Sequence, residues 1–585
     1  MFLRKPLLFF LFLMFLIGSF FLADAISSQI QTKTPTDPRD PLLIQGPKPE
    51  AIGDRVMVST QSPIVTETCL NVLREGGNAV DAAITSVFLQ HVVEYHQVMH
   101  FSSMAGLYYE ASTGKYYAFN AVGDRPLATR GKHGDPNKVA IGGTVRGLED
   151  LWKRFGTRKW VDYIQPAIKA AEEGVLVTTF MYTYINWYFE GGSVLRGKGD
   201  LAQIKEAREF YMPNGFQVPV GHRWKMPALA AHLRKLASEG ADYMYTGGWG
   251  KKFIEAARKE GGRVTLEDMA GYEVRWTEPL RYTYKGYEIL TEPPPVYGGL
   301  TVACNLNILE NFDLKKNGFY WESPDTLEIM ARTYGRVSSE MRWLQDPLNF
   351  YTPVDMLLSK EYGKMGAEFV LKTMPLPGVK LSAPGPLDQS PQYLQAHDFV
   401  SQISQVELES CNSNATVIVD EEGNWITLLH TGHGGTPGVF IDGVRATGST
   451  MRASTMGPGR RLLFPSVATI VLKDGKPWMA LGTPGSPPQP ATEVLVNILE
   501  FGMHPKDAAD APRFWAFRSS DRVVEIESRI TQAVREGMPE RGIKIKDLTN
   551  YNWHTGSFQI VWRDTQTGKL HGVTDPRRLG NAGGY

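Results

Sequence analysis

A cysteine and a serine stand just ahead of an apolar run in the stretch Cys411-Asn-Ser413-Asn-Ala-Thr-Val-Ile-Val-Asp420. A thiol or hydroxyl in that place suits attack on an acyl carbon. Such chemistry needs a nucleophilic heteroatom, a nearby base and donors for the oxyanion. Residues 416–419 are mostly β-branched, Glu421-Glu-Gly-Asn424 has turn chemistry, and 425–429 form a second run, so the stretch reads as a hairpin. Thr431-Gly-His433-Gly-Gly-Thr-Pro-Gly438 follows at once and supplies flexible backbone N–H groups. An ordinary hairpin with a serine in its leading loop has the same pattern. The residues alone therefore leave Ser413, Cys411 and no nucleophile open.

Two further groups invite a chemical reading. His96 and His100 in His91-Val-Val-Glu94-Tyr-His96-Gln-Val-Met-His100 are four apart, so they can share a helix face as zinc ligands do. The glutamate of a His-Glu-x-x-His pattern is missing and no carboxylate is placed as a third ligand. Packed histidines are therefore the reading, with no metal and no cofactor expected. Arg125, at the end of an expected strand pair over 107–110 and 116–119, can grip a substrate carboxylate as a bidentate pair or be a solvated loop charge.

The elements that must position these groups alternate between strand pairs and buried helices. Asn78 with Asp81 caps a helix from Ala79 to about Val93 that is apolar almost all round, as a helix buried on both faces must be. Helical periods recur at 144–155, 166–173, 227–238, 250–260, 326–345 and 492–501, with a capping pattern at Thr265 and Asp268. Strand pairs are expected at 281–284 with 287–291, 466–472 with 478–481, and 558–562 with 570–573. Residues 180–225 show no period and read as a surface region. The long Pro-, Gln- and Ser-rich stretch 375–412 directly before Ser413 suggests a functional loop or a place where the chain is cut. Strand pairs interleaved with buried helices imply sheets covered by helices on their outer faces.

Composition narrows the class. The chain has 585 residues, 42% of them apolar, with 62 basic and 62 acidic side chains and a formal net charge of +0. That balance gives no electrostatic case for nucleic acid. Arg4 and Lys5 precede an apolar run from Leu7 to Leu22, and Ala23-Asp24-Ala25 fits a cleavage site. Residues 1–25 thus read as an export signal, or as an N-terminal membrane anchor if uncleaved, and 26–50 as a linker. The expected location is outside the cytoplasm: periplasmic, extracellular or membrane-anchored. Three cysteines (Cys69, Cys304 and Cys411) are too few for a disulfide scaffold, though one bridge is possible.

From residue 55 to 585 the chain resembles the γ-glutamyltransferase family of N-terminal-nucleophile hydrolases. The resemblance rests on Glu75-Gly-Gly-Asn-Ala-Val-Asp-Ala-Ala83, Gly143-Thr-Val-Arg-Gly-Leu-Glu149, Pro166-Ala-Ile-Lys-Ala-Ala-Glu-Glu-Gly174, Tyr245-Thr-Gly247, Thr265-Leu-Glu-Asp268, Pro293-Pro-Pro-Val-Tyr-Gly-Gly299, Asp510-Ala-Pro-Arg513 and the tail from Asp575-Pro-Arg577 to Gly584. It implies an α+β fold, a four-layer αββα sandwich, made as a precursor that cuts itself. The freed residue then serves as nucleophile and, through its new α-amino group, as base; a terminal amine with a pKa of about 8 suits that work. The family motif ends Val-Val-Asp seven residues after its nucleophilic threonine. Counting back from Asp420 places Ser413 there, with the cut at Asn412–Ser413. The expected pieces are 51–412 and 413–585 of one domain, associated with each other. Eighteen residues on, Thr431 matches the family threonine that bonds the nucleophile.

The resemblance also marks departures. The family's oxyanion loop becomes Gly482-Thr-Pro-Gly-Ser486, where the N–H groups of Gly485 and Ser486 can still serve. Phe464 and Pro465 replace paired serines that hold the glutamyl carboxylate. His433 replaces an asparagine, and Ala446 follows Ile441-Asp-Gly-Val-Arg445 where an aspartate is expected. Arg125 lies near the carboxylate-binding arginine but is offset beside Pro126. The implied function is an amidohydrolase or acyltransferase acting on a small amide or peptide whose acyl group is not a standard γ-glutamyl group. A true γ-glutamyl hydrolase or transpeptidase acting on glutathione-like compounds, and a catalytically inactive binding member, are the alternatives.

Overall fold

The structure is a computed structural model. It describes residues 45–127, 140–189, 204–259, 262–341, 344, 346–373, 413–432, 439–446, 459–485, 488–516 and 523–585. Residues 1–25, read above as an export signal, the stretch before Ser413, Cys411, Asn412, His433 and Ser486 lie outside the described residues.

Two seven-stranded antiparallel sheets make the middle of the molecule. Their strands, in chain order, are β1 (Ala51–Gly53), β2 (Met57–Thr60), β3 (Ser103–Glu110), β4 (Lys115–Ala121), β5 (Arg275–Thr277), β6 (Leu280–Tyr284), β7 (Tyr287–Thr291), β8 (Asn414–Val419), β9 (Trp425–Thr431), β10 (Ala468–Lys473), β11 (Lys476–Gly482), β12 (Gln559–Arg563), β13 (Leu570–Thr574) and β14 (Asn581–Gly584). The first sheet has the order β1-β13-β12-β11-β10-β7-β6 and the second β14-β2-β8-β9-β3-β4-β5. The expected hairpin is β8–β9, in the middle of the second sheet.

Period-two alternation builds the layers. Ala415, Val417 and Val419 of β8 meet Ala468, Ile470 and Leu472 of β10, with Ala480 and Val561, in an apolar layer between the sheets. The opposite faces turn outward. Ile418, Ile426 and Leu428 pack under helices α1 (Pro63–Arg74), α2 (Ala79–Val93), α3 (Thr144–Phe155) and α4 (Trp160–Glu173). On the other side Val471, Met479, Leu481 and Ile560 pack under α6 (Gly298–Leu309), α7 (Pro324–Met341) and α8 (Pro488–Leu495). The result is helix, sheet, sheet, helix: the expected αββα sandwich.

Helix α2 shows how the layers lock. Asn78 and Asp81 form the expected capping box, and every residue of the helix is buried. Asp81 also accepts bonds from Thr157 and Tyr163, and Ser86 Oγ meets Thr416 Oγ1 of β8 at 2.7 Å. The capping box at Thr265 and Asp268 is likewise present. The described residues within 180–225 correct the surface reading. Helix α5 (Thr179–Phe189) runs there, and Phe180, Tyr184, Tyr211 and Trp224 are buried. A helix this rich in aromatic residues shows little amphipathic contrast, which hides its period. Cys69 and Cys304 are buried free thiols.

Candidate active site

Ser413 heads β8 with a backbone φ of 134°, a region that L-residues other than glycine rarely adopt. It is 7% exposed. The β8–β9 ladder pairs Asn414 with His430, and the same register extended by one residue sets Ser413 against Thr431. Thr431 is buried and pairs in turn with Ser103 of β3. At the other end of β8, Asp420 explains why it marks the register. Its carboxylate accepts from the Ala79 N–H at the start of α2 (2.8 Å), from the Asn424 N–H (2.9 Å) and from the Asn424 side chain (2.8 Å). One side chain thus closes the hairpin turn and caps the central helix, which fixes where β8 begins.

Arg578 holds the head of the strand. Its Nη1 donates to the Ser413 carbonyl at 3.2 Å and to Gln97 Oε1 at 2.8 Å. The segment carrying it is itself clamped. Arg577 makes bonds of 2.7 and 2.8 Å to the Glu527 carboxylate, and Arg513 pairs with Asp575, all buried. The two motifs Asp510-Ala-Pro-Arg513 and Asp575-Pro-Arg577 therefore meet as one ion network, and that network aims the next residue, Arg578, at Ser413. Reading the sequence did not single out Arg578, Gln97 or Arg445. A contact spanning 165 residues leaves no local signal.

The polar chain continues away from the serine. Gln97 Nε2 donates to Glu94 Oε2 at 2.8 Å. Burial pushes the Glu94 carboxyl up to about 8, against the pull of Gln97 and Arg578. His96 lies 3.6 Å from Glu94, with its ring edge-on to those of Phe180 and Tyr184. Burial, together with Arg578 and Arg445, lowers it to about 3, so it is neutral. His100 instead packs its ring, tilted or edge-on, against those of His91 and His232, so His96 and His100 do not converge as ligands.

The Glu94 shift carries a stability prediction. Folded Glu94 keeps its proton to about pH 8, whereas the unfolded carboxyl loses it near 4.5. Between those values unfolding releases a proton, so stability present below pH 4.5 is lost as pH rises to 8. Glutamine keeps the acceptor for Gln97 and cannot ionise. Glu94→Gln should therefore raise the unfolding midpoint relative to the native chain, with a gain growing from pH 5 to pH 8 to on the order of 3 kcal/mol. Paired thermal unfolding at the two pH values checks this.

The loop beyond β11 approaches the same strand. Gly482 passes so near β8 that a Cβ there would lie 2.9 Å from that of Ala415 and 3.2 Å from Thr427 Oγ1. Gly485 follows with φ at 71°, and the carbonyl of Pro484 accepts from Ser557 N–H at 3.0 Å. Ser103 Oγ accepts from Gly123 N–H (3.0 Å), two residues before Arg125, whose backbone is bonded on both sides to Gly459 and Arg460. Arg125 is therefore a buried side chain, not a solvated loop charge. The segment 459–465 carries on to Phe464, which lies buried in an apolar cluster with Val296 and Leu300. Its N–H and carbonyl are spent on Pro295 and Tyr297 (3.1 and 2.8 Å), and Pro465 has no N–H. Asp442 and Gly443 both have positive φ, as a tight two-residue hairpin turn requires, and Asp442 pairs with Lys252 at 2.7 Å. Arg445 is buried beside Gly432, where an added Cβ would meet its Nη2 at 2.8 Å.

This arrangement has relatives. The sequence profile described as gamma-glutamyltranspeptidase matches residues 65–585. An acylase ACY 1 proenzyme of Pseudomonas sp. (strain SE83) is 27% identical over 536 residues, covering 85% of this chain and 88% of its own length. A glutathione hydrolase proenzyme of Escherichia coli (strain K12) is 27% identical over 563 residues, covering 89% and 90%. A cephalosporin acylase from Bacillus halodurans shares the fold, with a TM-score of 0.75 and 23% identity over 92% of this chain and 97% of that one. Matched across nearly all of its described length, this chain belongs to the gamma-glutamyltranspeptidase family and is an amide hydrolase or acyltransferase of the N-terminal-nucleophile type.

Proposed function

We propose that this protein is a self-processed amidohydrolase in which Ser413 is the nucleophile and that its acyl substrate is not a standard γ-glutamyl group. The observation that carries the first half is the φ of 134° at Ser413. A non-glycine residue held there stores about 1–3 kcal/mol. That torsion is defined by the carbonyl carbon of Asn412, so cutting the Asn412–Ser413 bond abolishes it. In the cut, Ser413 Oγ attacks the Asn412 carbonyl carbon, the C–N bond breaks, and the departing α-amine takes up a proton. Water then hydrolyses the resulting ester, leaving a carboxylate on Asn412 and a free hydroxyl beside a free amine. Thr431, opposite in the ladder, bonds the hydroxyl, and Gly485 with Ser486 supplies N–H donors to the oxyanion.

The second half rests on what the described part of the site lacks. Phe464 and Pro465 offer neither a hydroxyl nor a spare N–H to an acyl carboxylate, and Asp442 is already engaged by Lys252. Without those clamps the charged α-amino and carboxylate groups of a γ-glutamyl substrate lose hydration without gaining partners, so a plain acyl chain of the same length is favoured. Arg125 and His433 are placed by this reading among the polar groups toward the acyl part. The acylase-named relatives support this reading, and the glutathione hydrolase relatives support γ-glutamyl turnover as the second one.

Purified protein should run as two pieces, the smaller beginning at Ser413. Compared at equal chain length, a simple acyl anilide should be turned over at a kcat/KM about 10²-fold above that of γ-glutamyl anilide. A preference in the opposite sense returns the site to γ-glutamyl chemistry. The pattern of residues 1–25 supports export, and the N-terminus of the larger piece distinguishes a removed signal from a retained anchor. Among the described residues no helix is long and apolar enough to cross a membrane.

A further inference from the structure

Far along the chain from the serine, three donor groups converge at the edge of the first sheet. Glu50 directly precedes β1, His571 lies on β13, and His504 caps the helix Pro505–Asp510. Their ligand atoms all lie within 4.8 Å of one another. His571 Nδ1 is 3.1 Å and His504 Nε2 is 3.8 Å from the same oxygen, Glu50 Oε1. Trp562, opposite His571 in the β12–β13 ladder, donates its indole N–H to that oxygen at 3.3 Å. Its ring packs against both imidazoles, with centroids 4.4 and 5.2 Å away. His571 Nδ1 is buried and makes no hydrogen bond, although the carboxylate is so near.

We propose that Glu50, His504 and His571 bind one Zn²⁺ ion, with water as the fourth ligand. Two imidazoles and a carboxylate are a zinc donor set. In a tetrahedral site with bonds of about 2.1 Å the donors stand about 3.4 Å apart, so the 3.1 and 3.8 Å separations need only side-chain adjustment. The indole N–H fixes the carboxylate as an outer-shell partner does. The His504 side chain is 42% exposed, which gives the ion a way in. Zinc on His504 Nε2 places the proton on Nδ1, so the 3.3 Å bond that Nδ1 now accepts from Lys506 N–H is given up.

The location says what the ion does. Glu50 stands before the proposed cut, and both histidines stand after it. Zinc here clips the start of the first piece to the second, at the edge where β1 joins the sheet through three residue pairs only. The site takes no part in the chemistry at Ser413.

The test uses the full purified protein, stripped with a chelator and titrated calorimetrically with Zn²⁺ at neutral pH. The native chain should bind one equivalent, and Glu50→Gln and His571→Gln should each weaken binding at least about 100-fold. Saturating zinc should raise the native unfolding midpoint by about 2–4 °C and leave the variants unmoved. His504→Gln, at a half-exposed position, keeps the test open should either of the others fail to fold. Absence of zinc binding, or binding and midpoint shifts equal in the native chain and the variants, overturns the site.

Discussion

Ser413→Ala should leave a single uncut chain that turns over no amide. On the proposed mechanism the hydroxyl is both the group that attacks Asn412 and the group that attacks substrate, so one substitution should abolish two reactions. The expected loss in kcat is at least about 10⁴-fold, because the donors and binding groups that remain give only residual catalysis. Fold should survive. Alanine fits the space of serine, and β8 keeps its partners β2 and β9 on both sides. The strain at φ 134° persists in the alanine chain, whereas Ser413→Gly removes it. The uncut glycine variant should therefore be more stable than the uncut alanine variant, by about 1 kcal/mol or more. Cys411→Ser separates the remaining candidate: cutting and turnover should both continue. A chain that is still cut in Ser413→Ala, or that stays whole in Cys411→Ser, moves the nucleophile away from Ser413. Intact native protein with a folded site but no turnover would instead favour a binding member of the family. Gel analysis with N-terminal sequencing, followed by amide turnover on the same samples, reads all of these.

What could be read from the chain, and what could not, follows from the range of the interactions involved. The capping box at Asn78 and Asp81 is legible because it spans three residues. The β8–β9 hairpin is legible because its turn and its β-branched runs adjoin. Asp420 marks the register because one short side chain ties the hairpin turn to the start of α2. The helical cover of the sheets is legible from strand pairs interleaved with buried helices, whereas β8 and β10 are buried along nearly their whole length and do not by themselves say which face meets the other sheet. Helix α5 was hidden by its aromatic content, and its burial depends on partners such as Trp553 far along the chain. At the site the limit was sharper. Resemblance could point to Ser413 and Thr431 by counting. It could not show that Arg578 reaches the Ser413 carbonyl, that Glu94 and His96 lie buried behind it, or that the backbone at Phe464 is fully used. Those facts belong to tertiary contacts.

Arg578 is where such a contact should have its largest effect. Its Nη1 holds the Ser413 carbonyl and Gln97 together, so it sets the direction in which the head of β8 points. It touches no bond that breaks, which makes it a positioning residue. Misplacement of a nucleophile by about 1 Å costs about 10²-fold in rate, so Arg578→Ala should lower kcat by about that factor and slow the cut comparably. KM should change far less, because Arg125, proposed to face the acyl part, is carried by another segment. Loss of the guanidinium also leaves Gln97 Oε1 and the Ser413 carbonyl without this donor in a buried place, at about 1–3 kcal/mol each in stability. Arg578→Lys tells the two effects apart. A lysine brings one cationic head able to reach either acceptor but lacks the planar fork, so it should recover much of the stability and only part of the rate. Equal recovery of unfolding midpoint and kcat in the lysine variant would reduce Arg578 to a structural brace. Recovery of the midpoint alone, with kcat still depressed at unchanged KM, is the outcome expected if the guanidinium orients the reacting serine.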